Sequence, residues 1–99
     1  MGEIELMRMS DDYYRSLEGR IRVLLSEVTD LIGAEQIAEI QEFVDYSEFG
    51  VALVWLADFL VESERPVRSS IRKSISELAE VMGIADEIDA KLVAVEPEF

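Results

Sequence analysis

The sequence predicts an all-α protein, a small helical bundle of four main helices plus a short C-terminal helix. Three observations predict it. Apolar residues recur at spacings of three and four along most of the chain, the period of helices with one buried face. Alternation of apolar and polar residues, the mark of a half-buried strand, reaches no useful length. The breaks between periodic segments fall at glycine, at Arg-Pro, or at short polar turn sequences. With 99 residues, 49% of them apolar, the chain suits one domain with a single modest core. The expected division is a flexible arm over 1–9, a single helical domain over 10–93 and a flexible tail over 94–99.

The first helix is read from Tyr14, Leu17, Ile21, Leu24, Val28 and Leu31, six positions on one stripe. Ser10, Asp11 and Asp12 supply an N-cap and an acidic first turn. Gly33 is expected as the left-handed stop after Ile32. A second helix is expected over Ala34–Tyr46, with Ile37, Ile40, Phe43 and Val44 inward and Glu35, Glu39 and Glu42 in a row on another face. Asp45-Tyr46-Ser47-Glu48 reads as a tight connection, with Ser47 as N-cap and Glu48 at the positive end of the third helix. That helix, Glu48–Ser63, is apolar nearly all round and so is expected to be central. Phe49, Ala52, Leu53, Leu56, Phe59 and Leu60 form one side. Val51, Trp55, Asp58 and Glu62 share the other, with Trp55 expected in the core.

Arg65-Pro66 ends the third helix, because proline disfavours helical geometry in the residue before it. Ser69 or Ser70 caps a fourth helix with the stripe Ile71, Ile75, Leu78, Ala79 and Met82, which Gly83 closes. Ile84, Ile88 and Leu92 mark the short last helix. Val93–Phe99, with Pro97, is expected to fray.

Composition removes whole classes of function. The chain has no cysteine and no histidine, so thiolate nucleophiles, thiolate zinc sites, disulfides and imidazole acid–base chemistry are absent. No Gly-rich phosphate loop or nucleophile elbow accompanies the many carboxylates, and their spacing is not that of an EF-hand. The reading is a protein that is not an enzyme and needs no cofactor or metal. No run approaches the ~20 apolar residues of a membrane span, and Met1–Met9 is too polar for a secretory signal. A cytoplasmic protein is expected.

Charge is the strongest anomaly. The net charge is −13, from 22 acids and 9 bases. Between Val23 and Glu64 there is no lysine or arginine, and ten carboxylates fall in those 42 residues. Concentrating one sign of charge works against folding, and its physical return is attraction to a positive partner. Direct binding to nucleic acid or to an anionic membrane is disfavoured by the same charge. The basic cluster Arg65, Arg68, Arg72 and Lys73 is expected to balance neighbouring acids.

The run Glu39-Ile40-Gln41-Glu42-Phe43-Val44-Asp45-Tyr46-Ser47-Glu48-Phe49-Gly50-Val51-Ala52-Leu53-Val54-Trp55-Leu56-Ala57-Asp58-Phe59-Leu60 resembles the core signature of MafI-type immunity proteins. These are small helical proteins encoded beside bacterial polymorphic toxins. The Arg65-Pro66-Val67 break and Leu78–Ile84 fit the same pattern, so the likeness spans roughly Ile37 to Leu92. The resemblance implies an immunity protein that neutralises a cognate toxin domain. Many such domains are basic nucleases, and an acidic surface would occlude one sterically and electrostatically. The family pattern consists of packing and turn residues and does not mark a binding site. Charge placement does: Glu35, Glu39, Glu42, Asp45 and Tyr46 are the candidate partner contacts, followed by Glu48 and Asp58. Glu48 also has a purely structural explanation as a helix-start acid, and Asp58 needs either a base or an external cation. The alternative reading is a helical adaptor or self-associating bundle, with a homodimer through the stripe of helix one. A nucleic-acid mimic acting on a DNA-binding protein predicts the same charge with a different partner.

Overall fold

In the computed structural model, which describes residues 2–95 and 97–98 and the side chains of 11–95, five helices carry the chain. They are α1 (Gly2–Glu27), α2 (Ala34–Asp45), α3 (Phe49–Ser63), α4 (Ser69–Val81) and α5 (Ala85–Leu92). The all-α bundle that the periodicity predicts is the architecture observed. Helix α3 packs against all four others. Ala52, Leu53, Leu56, Ala57 and Leu60 are fully buried in it, so its near-continuous apolar sequence follows from its central place. Leu17, Ile21, Leu24 and Leu25 of α1, Val28 just beyond its end, and Ile71, Ile75, Leu78 and Ala79 of α4 close one side of the core, and Ile40, Val44, Ile88 and Leu92 close the rest. No helix among the described residues is long and apolar enough to cross a membrane.

Helix α1 departs from expectation at both ends. Its backbone is helical from Gly2, so Ser10–Asp12 is not a helix start; the Ser10 side chain and the calls on Met1–Met9 side chains lie outside the described residues. Asp11–Ser16 are all exposed and Leu17 is the first buried side chain described. At about 1.5 Å per residue the 26-residue helix is about 39 Å long. The helix ends at Glu27, not Ile32. Val28, Leu31 and Ile32 continue inward through a turn closed by Leu31 N–H and Ile32 N–H donating to the Val28 carbonyl, at 2.9 and 3.1 Å. Gly33 is not a left-handed stop. Its φ is −73° and it stands at the N-cap of α2, where its N–H donates to Gln36 Oε1 at 3.0 Å.

The left-handed positions lie elsewhere. Ser47, expected as an N-cap, has φ 60° and closes α2. Glu48 N–H reaches the Phe43 carbonyl and Ser47 N–H the Val44 carbonyl, the paired bonds of a Schellman motif. Gly83 closes α4 in the same way, with Ile84 N–H on Ala79 and Gly83 N–H on Glu80, at φ 74°. Nothing lies within 4 Å of where a Gly83 Cβ would sit, so alanine there meets backbone strain alone. Gly83→Ala is expected to cost about 1–2 kcal/mol, read as a lower urea midpoint at unchanged slope.

Among the described residues the basic cluster makes no ion pair with the acids that it is expected to balance; three of its members donate to backbone carbonyls. Arg68 reaches Glu27 O at 3.3 Å and Arg65 reaches Asp30 O at 2.6 Å. Glu27 is the last residue of α1, where carbonyls lack helical partners and the dipole favours cations, and Asp30 lies in the turn that follows. Arg72 donates to Val95 O. Helix α4 starts at Ser69 with Arg68 in the cap position and no side-chain cap bond, so the expected serine cap is not formed. The tail is docked rather than frayed. Val95 is buried, and Pro97–Glu98 (β2) pairs in parallel with Val67–Arg68 (β1); residues 96 and 99 lie outside the described residues. A two-residue pairing is too short to leave a periodic signal in sequence.

Candidate functional site

Helix α2 turns one face inward through Ile40 and Val44, both fully buried. The helical period then fixes what points outward. Glu35, Glu39, Glu42 and Tyr46 stand at i, i+4, i+7 and i+11, close to a single line, and all four are exposed. Tyr46, at the helix end, is 74% exposed. The Ser47 turn then carries the chain back, leaving Glu48 exposed at the N-cap of α3. No side-chain cap bond forms there; the Glu48 carbonyl accepts from Ala52 N–H at 2.9 Å. Its position still puts a carboxylate at the positive end of the α3 dipole.

Ion pairs divide the seven candidates. Asp45 lies on the α1 side of α2, where Arg22 Nη2 donates to its Oδ1 at 2.8 Å while Arg22 Nε stands 3.5 Å from Glu18. Both carboxylates raise the Arg22 pKa, the hydrogen bond to Asp45 foremost. Asp58 is held by Lys91 Nζ of α5 at 2.8 Å, and that hydrogen bond raises the Lys91 pKa. Asp58 therefore has the internal base that a half-buried acid requires, and it ties α3 to α5. Glu35, Glu39, Glu42 and Glu48 make no ion pair among the described residues. The structure thus brings together Glu35, Glu39, Glu42 and Tyr46, with Glu48 one turn away. It sets Asp45 and Asp58 apart as structural partners of Arg22 and Lys91.

The unpaired row carries a testable cost. Glu39 has Glu35 four residues before it and Glu42 three after. Each like-charged neighbour opposes the helix by about 0.2–0.5 kcal/mol. Glu39→Gln is therefore expected to stabilise the protein by about 0.5 kcal/mol at low ionic strength, with the gain fading as salt screens the repulsion. A destabilised Glu39→Gln protein would mean that the carboxylate has a favourable internal partner.

Beside the row runs an aromatic strip that charge reasoning overlooked. Phe43, one turn beyond Glu39, packs against Trp55 with the rings tilted by 51° and their centroids 5.1 Å apart, and Trp55 meets Phe59 edge-on at 5.7 Å. Trp55 is not a core residue: it is 39% exposed, and Val51, one turn before it, is 41% exposed. The sequence signal was the second, outward set on α3, Val51-Trp55-Asp58-Glu62, which an all-round apolar helix obscures.

No group of three or more acids able to hold a metal ion occurs among the described residues. An open cleft is lined by Asp11, Tyr14, Arg15, Glu18, Ser47 and Phe49. Of the helix-one stripe, Leu17, Ile21, Leu24 and Val28 are at most 3% exposed inside the chain's own core, whereas Tyr14 is 51% exposed. Comparisons with protein-family models, with curated proteins and with solved structures found no match in any of the three.

Proposed function

We propose that this chain is an immunity-type inhibitor that binds a basic toxin domain through the outward face of α2 and blocks it by occlusion, with no chemistry of its own. One observation carries the reading: Glu35, Glu39 and Glu42 form an exposed acidic row with no cation paired to it among the described residues. The other acids singled out on α2 and α3 have structural employment. Asp45 and Asp58 hold bases, and Glu48 sits at a helix start. The row has only a cost within the isolated chain, and a positively charged surface is the partner that turns that cost into attraction. The likeness of Ile37–Leu92 to MafI-type immunity proteins supports the same partner class. On that likeness, the proposed site of action is the cytoplasm of the toxin-producing bacterium or its kin. A nuclease toxin fits well, because its substrate-binding surface is already built for a polyanion.

Co-expression tests the proposal. The C-terminal domain of a polymorphic toxin encoded immediately upstream is expressed with and without this chain. Rescue of growth and co-purification of the two proteins are expected. Loss of viability in the presence of abundant, folded inhibitor would reject the reading.

A further inference from the structure

We infer that the toxin contact extends from the acidic row onto α3, where Trp55 is the anchor of the interface and the carboxylates are its rim. The inference rests on the immunity reading for its partner and adds where affinity, as opposed to encounter rate, resides. Trp55 is 39% exposed, yet it is fixed between two rings, Phe43 at 5.1 Å and Phe59 at 5.7 Å. A tryptophan already immobilised loses little freedom when covered, and such residues dominate interface energetics. Single exposed apolar residues are ordinary. Here Trp55 meets the half-buried Phe43 of α2, exposed Val51 lies one turn before Trp55, exposed Tyr46 follows Phe43 by three residues, and no lysine or arginine occurs on either helix.

Charge decides the occupant. The strip is bordered by Glu39 on α2 and Glu62 on α3, one turn from Phe43 and Phe59 respectively. A second copy of this chain would bring that acidic border against its own kind at a net charge of −13 per chain. A basic protein surface meets it with opposite sign. An arginine is the side chain best suited to lie on Trp55, because its flat guanidinium stacks on an aromatic face while its edge donates to flanking carboxylates.

Trp55 is the sole tryptophan of the chain, so protein grown on fluorotryptophan gives one fluorine resonance for this residue. The probe is the catalytically inactivated, unlabelled toxin domain, with complex formation followed independently by sedimentation. On saturation the resonance is expected to move and to lose its sensitivity to exchange of H2O for D2O. Trp55→Ala is expected to raise the dissociation rate about tenfold or more while the association rate stays within about twofold. Trp55→Phe, which keeps the packing with Phe43, is expected to fall between. A complex that forms with the resonance unchanged overturns the anchor and leaves the immunity reading intact. A resonance that already shifts with the concentration of the isolated chain assigns the strip to a second copy and also overturns the inference. No complex at all rejects the immunity reading and the anchor with it.

Discussion

Replacing Glu39 and Glu42 together by lysine is expected to slow association with the toxin domain by about 10- to 100-fold at low ionic strength. The two residues lie on the exposed row of α2, and neither is paired internally among the described residues. Each substitution reverses a charge at the surface where encounter takes place. Long-range attraction chiefly accelerates encounter, so most of the loss falls on the association rate and shrinks as added salt screens the field. The same reversal should not unfold the protein, since it relieves repulsion along α2. Stopped-flow association across a salt series reads both effects. Equal rates for the variant and the natural protein at every ionic strength would remove the row from the interface.

Leu56→Ala is expected to cost about 3–5 kcal/mol of stability. Leu56 is fully buried on α3, the helix in contact with every other helix, so the cavity left behind has walls from several elements and little room to collapse. A domain of this size holds about 5–15 kcal/mol in total, so the substitution takes a large share. At about 4–8 °C per kcal/mol, thermal unfolding should fall by roughly 12–40 °C. A loss under ~1 kcal/mol would mean that α3 is not the centre of the core. The contrast with Trp55 is instructive. Both are large apolar residues on the same helix, one turned to the core and the other to the surface, and only the first should dominate folding.

Particular residues show what sequence made legible. The inward faces of α2, α3 and α4 follow directly from three-and-four spacing, and Gly83 and Arg65-Pro66 stop their helices where expected. The end of α1 was hidden because Val28, Leu31 and Ile32 keep the helical period after the helix has stopped at Glu27; buried turn residues and buried helix residues look alike in such a pattern. The left-handed role of Ser47 was hidden because serine is commoner as an N-cap. Contacts between distant residues leave no local trace. Arg68 on the Glu27 carbonyl, Lys91 on Asp58 and Tyr13 Oη on the Val81 carbonyl are separated by 41, 33 and 68 residues. For the candidate site, the row Glu35-Glu39-Glu42-Tyr46 was readable because helical spacing alone fixes it. The roles of Asp45 and Asp58 were not, because each depends on a base brought from another helix. The aromatic strip was missed because two of its rings, Phe43 and Phe59, also pack against the core, and a residue that serves both core and surface shows only its apolar character.

The claim that binding centres on the outward face of α2 is tested most directly by a contact map. The isotopically labelled chain is titrated with the inactivated toxin domain, and backbone amide resonances are followed by NMR. The account predicts that the largest perturbations fall on Glu35, Glu39, Glu42, Tyr46 and Glu48, with the Trp55 indole among them. Perturbations confined to α4 and α5, with α2 unmoved at saturation, would contradict it.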